Sequence, residues 1–151
     1  MNPPTTTTAV RPEAARSRRA RLRSWRSLSL TLPADRPELL SAIRRLVYAH
    51  ALDSGAPTAK AEDIELCVSE LLTNALRYSD GPARLEFAVH DRTVLVAVSD
   101  TSTRAPGAPG PDPAANGEHG RGLHIVNKLA SAVEVKVHPW GKTVATSFRL
   151  G

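Results

Sequence analysis

Residues 93–100 read T-V-L-V-A-V-S-D. Val94, Val96 and Val98 alternate with Leu95, Ala97 and Ser99, so both faces of an extended chain are apolar or small. That is the pattern of a strand covered on both sides, hence central in its sheet. The strand runs straight into Asp100. Immediately before it, residues 84–90 form a partner strand, joined through Asp91–Arg92 by a link short enough for a hairpin. Upstream, a helix starts at Pro57–Thr58 and runs to about Tyr78, where Ser79–Asp80–Gly81–Pro82 breaks it. At 100° per residue, Ile64, Val68, Leu71 and Ala75 gather on one side of this helix, with Cys67 and Leu72 flanking. Glu70 and Asn74 lie one turn apart and point together at the margin of that stripe.

Further out, residues 26–32 (R-S-L-S-L-T-L) place Leu28, Leu30 and Leu32 on one face, a half-buried strand that Pro33 stops. Asp35 and Glu38 have the spacing of a capping box, and Leu39, Ile43, Leu46 and Val47 give the following helix its inner stripe. Gly55 ends that helix. Beyond the central strand, residues 101–119 interleave Pro106, Pro109, Pro111 and Pro113 with Gly107, Gly110 and Gly117, a loop long enough to be functional or disordered. Gly120–Arg121–Gly122 then opens an apolar helical run through Leu123, Ile125, Val126 and Leu129. Two strands, about 133–138 and 142–150, turn at Pro139–Trp140–Gly141. The order βααββ, loop, αββ is that of the α+β class, with helices on one face of a sheet.

Composition narrows what such a domain does. The net charge of +5 comes from the N-terminus: residues 1–26 hold seven arginines against one acid, Glu13, while residues 27–151 hold 13 basic and 14 acidic side chains. With Pro3, Pro4, Pro12 and four consecutive threonines, residues 1–24 form a disordered basic tail on composition, and residues 25–151 form the domain. Nucleic acid is expected only through that tail. No apolar run approaches the length of a membrane span, the start of the chain does not read as a secretory signal, and Cys67 alone forms no disulfide framework. The cytosol is the expected compartment.

Several familiar sites are excluded. Gly141–Lys142–Thr143 imitates the end of a phosphate-binding P-loop, but Lys136 stands where that motif needs glycine, and a strand follows in place of a helix. A serine-hydrolase elbow is absent, and no two histidines have the spacing of a helical zinc site. Three features remain. Glu70-x-x-x-Asn74 sets a carboxylate and a carboxamide on one helical edge, suited to hydrated Mg²⁺ or to accepting a hydroxyl proton, although such a pair on a helix is most often simply solvated. Asp100 closes a central strand at a loop, where a carboxylate either accepts from an exocyclic amine or initiates a turn. Gly120–Arg121–Gly122 at a helix start offers exposed N–H groups and a mobile cation to phosphate, or plain N-terminal capping.

Together these features resemble the GHKL ATPases, which include gyrase, heat-shock chaperones and histidine kinases. Glu70 to Ala75 (E-x-x-x-N-A) is similar to their N-box, and Asp100 after V-L-V-A-V-S to the start of the first glycine box. H-G-R-G-L-H-I-V, residues 119–126, is similar to the second glycine box, and Gly141–Lys142–Thr143–Val144 to the closing G-x-T segment. The match covers about residues 27–150, and the short domain most resembles anti-sigma factor serine/threonine kinases.

The resemblance implies a two-layer α/β sandwich of the Bergerat type, a mixed sheet covered on one face by helices. It implies ATP and Mg²⁺ as cofactors. Asn74 would hold Mg²⁺ on the phosphates, and Glu70 would be the catalytic base toward a partner's hydroxyl. Asp100, assisted by Thr143, would bind the adenine amine. Gly120, Arg121, Gly122 and Leu123 would wrap the phosphates beneath a lid of about residues 101–119. The function implied is a protein kinase acting on a small regulatory protein; the alternative is a non-catalytic ATP-binding module that sequesters a sigma factor or other regulator. The implied partners are an anti-sigma antagonist or a sigma factor, with a homodimer allowed and no membrane. One departure stands out: Ser102 and Arg104 occupy the glycine positions of the D-x-G-x-G box, so two side chains crowd the base.

Overall fold

The computed structural model describes residues 26–103 and 123–151. The expected tail, residues 1–24, lies outside them, as do Gly120, Arg121, Gly122 and the lid loop beyond Thr103. The described chain is α+β, in two layers. β1 (Arg26–Leu32) leads through a 3-10 turn (Pro37–Leu39) into α1 (Leu40–Asp53), and α2 (Thr58–Tyr78) follows. Then come β2 (Ala83–His90), β3 (Thr93–Asp100), helical residues 123–129 (α3), β4 (Ala132–His138) and β5 (Gly141–Arg149). No described helix is long and apolar enough to cross a membrane.

The strands form one sheet in the order β1-β2-β3-β5-β4, and every pairing is antiparallel. That corrects the expectation of a mixed sheet, and the connections explain why. Two helices, rather than one, separate β1 from β2, so the chain re-enters the sheet at the end where it left: Leu32 pairs with Ala83. β3 and β4 themselves run parallel, since each is antiparallel to β5, but β5 is inserted between them.

Period-two alternation carries the core. Leu32, Leu85, Phe87, Val94, Val96, Val98 and Phe148 face one way and are buried against Val47, Ile64, Val68 and Leu72 of the helices and Val126 of α3. β3 is central, as its sequence required. Its second face is less covered than expected, since Leu95 is 40% exposed there. With Ala88, Ala97, Ala145 and Ser147, Leu95 lines a shallow depression of about 440 Å³ rimmed by Glu86 and Glu134. The helices cover only the other side.

Two helix expectations need correction. Glu38 caps no helix; its carboxylate takes the Arg36 guanidinium at 2.5 Å, because Pro37 opens a 3-10 turn that displaces the α-helix start to Leu40. Leu46 is exposed, and Ala51 joins Ile43 and Val47 in the buried stripe instead. Gly55 does end the segment after α1, at φ 96°, a left-handed backbone that favours glycine. Asp91 and Arg92 turn the β2–β3 hairpin with φ of 46° and 59°, the mirror-image geometry that matches strand twist. Arg92 reaches back to the carbonyls of Leu150 and Gly151 at 3.4 and 3.2 Å.

Candidate functional site

The site residues inside the described chain come from α2 and from the facing ends of β3 and β5. On α2, Ala61, Ile64, Cys67, Val68, Leu71, Leu72 and Ala75 are buried. Glu70 and Asn74 are half-buried, at the margin of that stripe as the helical spacing required. Cys67 is buried on the adjoining face. Burial pushes its thiol up to about 12, and the charges of Asp63 and Glu70 add to the effect, so both carboxylates lie close along the same edge. Among the described residues neither Glu70 nor Asn74 is engaged in a hydrogen bond or ion pair.

A latch ties this helix to the end of β3. Ser79, just past α2, shares a hydroxyl hydrogen bond with Thr101, just past β3. The Thr101 N–H donates to Ser79 Oγ at 3.1 Å, and the Gly81 N–H donates to Thr101 Oγ1 at 3.2 Å. Asn74 precedes the latch by five residues, about 7.5 Å along a helix axis. The latch therefore fixes the Glu70–Asn74 edge relative to Asp100.

Asp100 is 5% exposed and is held by its own chain. Lys142 of β5, its register partner, sets Nζ 3.0 Å from Oδ1 and 2.8 Å from Oδ2. The Ser102 N–H donates to Oδ1 at 2.8 Å. Ser102 is itself buried, so the side chain at the first glycine position does fill enclosed space. An ion pair this deep is held by geometry and hydrogen bonds, because desolvation offsets much of its attraction.

Thr143 is not beside Asp100, which corrects the expectation that the two act on one amine. Adjacent residues of a strand point to opposite faces. Thr143 pairs in register with Ser99; its hydroxyl shares a hydrogen bond with Ser99 Oγ at 2.9 Å and lies 3.3 Å from His138 Nε2. All three stand on the face away from the helices. Lys142 is the residue that sequence reasoning missed. The signal was available: once β3 and β5 are neighbours, the period-two rule assigns the face of Asp100 to Lys142, Val144 and Thr146. Leu123, at the start of the described part of α3, is half-buried.

The arrangement suits a metal held jointly with a ligand's phosphates rather than in a protein cage. Among the described residues no group of three or more His, Cys, Asp or Glu could hold an ion. Mg²⁺ typically takes one or two protein oxygens, waters and substrate phosphates, and the unengaged Asn74 amide with Glu70 beside it fits that donor set.

The model of the histidine kinase-like ATPase domain matches residues 33–148. Among solved structures, the RsbU and RsbW domains of Rv1364c from Mycobacterium tuberculosis are similar at 20% identity and a TM-score of 0.64, over 83% of this chain and 32% of that one. This chain thus spans about a third of the Rv1364c chain. A chain of the SiaB–SiaC complex from Pseudomonas aeruginosa is similar at 17% identity and a TM-score of 0.62, over 90% of this chain and 97% of that one. No curated protein matches.

Proposed function

The chain belongs to the histidine kinase-like ATPase domain family, and from that premise we propose that it binds ATP with Mg²⁺ and phosphorylates a serine or threonine of a small regulatory protein. One observation carries the reading: Glu70 and Asn74 share an edge of α2 that no other described residue engages, held by the Ser79–Thr101 latch relative to Asp100. Fold likeness to the RsbW domain of Rv1364c and to a chain of the SiaB–SiaC complex supports a regulatory protein, such as an anti-sigma factor antagonist or a sigma factor, as the partner.

Phosphoryl transfer asks a protein mostly for positioning and charge neutralisation. In this reading Asn74 supplies an amide oxygen to Mg²⁺, which when bound neutralises charge on the phosphates. Glu70 accepts the proton of the partner's hydroxyl as that oxygen bonds to the γ-phosphorus, and the bond to the β–γ bridging oxygen breaks to leave ADP. Asp100 and Lys142 take the base. Gly120, Arg121 and Gly122, outside the described residues, complete the phosphate end, with the Pro/Gly segment as lid. The compartment that fits such a partner is the cytoplasm.

Calorimetric titration of Mg·ATP into the wild type and into Asn74→Ala tests the metal role. The variant is expected to lose at least tenfold in affinity; equal affinities overturn the role. Glu70→Gln is expected to keep nucleotide and to lose transfer of labelled γ-phosphate to a co-purified partner. A protein that only sequesters its partner changes in neither respect.

A further inference from the structure

The Ser79–Thr101 latch joins residues 22 positions apart, with the whole β2–β3 hairpin between them. Ser79 stands at the end of α2, where its N–H donates to the Ala75 carbonyl at 3.1 Å. Thr101 directly follows Asp100, the last residue of β3. Two hydroxyls and two backbone N–H groups meet there. Ser79 Oγ accepts from the Thr101 N–H at 3.1 Å and from the Gly81 N–H at 3.3 Å. Thr101 Oγ1 accepts from the Gly81 N–H at 3.2 Å, and the two hydroxyls share a hydrogen bond. Gly81 makes the room. A Cβ added to it would lie 2.7 Å from both Oγ1 and Cγ2 of Thr101, while its backbone is not left-handed. Close approach of the Thr101 side chain is thus what asks for glycine at this position. Ser79 is buried, whereas Thr101 is exposed, so the Thr101 hydroxyl can be removed without opening the core.

We propose that Thr101 is a positioning residue for the nucleotide, and that its hydroxyl couples binding at the metal end to binding at the base end. This rests on the nucleotide-site reading above, in which Asn74 of α2 meets the metal and phosphates and Asp100 of β3 meets the base. A ligand that spans two protein groups gains fully from the second only when both are already held at its own length; otherwise part of the gain goes into ordering them. Val68 and Leu72 pack α2 onto the sheet, but apolar packing is non-directional. The latch adds directional bonds at the end of α2 that carries Asn74. Without the Thr101 hydroxyl, the base end still binds, and the metal adds less.

The readout is the ratio of ATP affinities with Mg²⁺ and with EDTA, measured by competition against a fluorescent ATP analogue. For the wild type the ratio is expected to be at least tenfold. Thr101→Val, which keeps the shape and removes the hydroxyl, is expected to bring it to threefold or less with ATP still bound in EDTA. Thr101→Ser, which restores the hydroxyl, is expected to stay within about threefold of the wild-type ratio. A merely structural role lowers the folded fraction and scales both affinities alike, so an unchanged ratio in Thr101→Val overturns the proposal, as does a ratio in Thr101→Ser as low as in Thr101→Val. ATP binding by the wild type that ignores Mg²⁺ overturns the coupling and leaves the nucleotide site standing. Failure of the wild type to bind ATP at millimolar concentration removes the site and the inference together. Circular dichroism checks folding, and should Thr101→Val not fold, Thr101→Ala decides by the same ratio.

Discussion

Cys67 is fully enclosed in the α2 stripe. Its thiol ionises near 9 in an ordinary setting and only near 12 here, because burial disfavours the thiolate and Asp63 and Glu70 add negative charge nearby. Between those values the unfolded chain has lost a proton that the folded chain keeps, so stability falls as pH rises from about 9, with a slope approaching ~1.4 kcal/mol per unit. Comparing urea unfolding of the wild type with Cys67→Ala from pH 8 to 10.5 isolates the effect. Wild type is expected to lose roughly 1–2 kcal/mol relative to the variant over that range, and parallel curves mean that the thiol is not the cause. Single residues were unevenly legible in the sequence. Helical spacing alone put Glu70 and Asn74 at the margin of a buried face, because both lie on one rigid element. Thr143 was misassigned because its face depends on strand register, a contact between residues more than 40 positions apart, which no local pattern encodes.

At the scale of elements, β5 meets the end of β3 through a glycine. A Cβ added to Gly141 would lie 1.9 Å from the Asp100 carbonyl oxygen and 2.9 Å from Thr101 Cα, both backbone atoms that cannot swing aside. Gly141→Ala is therefore expected to cost roughly 2–4 kcal/mol in denaturant unfolding, against less than about 0.5 kcal/mol for the exposed neighbour Trp140→Ala. A change below about 1 kcal/mol for Gly141→Ala shows that the strands part without loss. The elements themselves were the most legible level. β1, β2, β3 and α2 follow directly from period-two and 3.6-residue patterning, which reports which face is apolar. The start of α1 was hidden, since Pro37 favours a tight first turn whatever Asp35 and Glu38 spell. Antiparallel pairing throughout was hidden as well, because it depends on β5 entering between β3 and β4.

For the whole molecule, charge and fold separate along the chain: seven arginines of residues 1–26 stand against a body of 13 basic and 14 acidic residues. We propose that residues 25–151 are the folding and nucleotide-binding unit. That fragment is expected to melt within about 2 °C of the full chain by calorimetry, with unchanged ATP affinity. RNA retention by the full chain is expected to fall steeply with salt and to vanish on removal of residues 1–24. A fragment that melts markedly lower assigns the tail a structural role. The sheet has its own division. β1, β2 and β3 with α1 and α2 form one self-paired block, β4 and β5 a second, and the eight-residue ladder between β3 and β5 joins them across a long separation in sequence. Closing it is the entropically slow event of assembly. The proposed base-reading pair straddles that ladder, so a bound nucleotide would act as a rivet across the last joint to form.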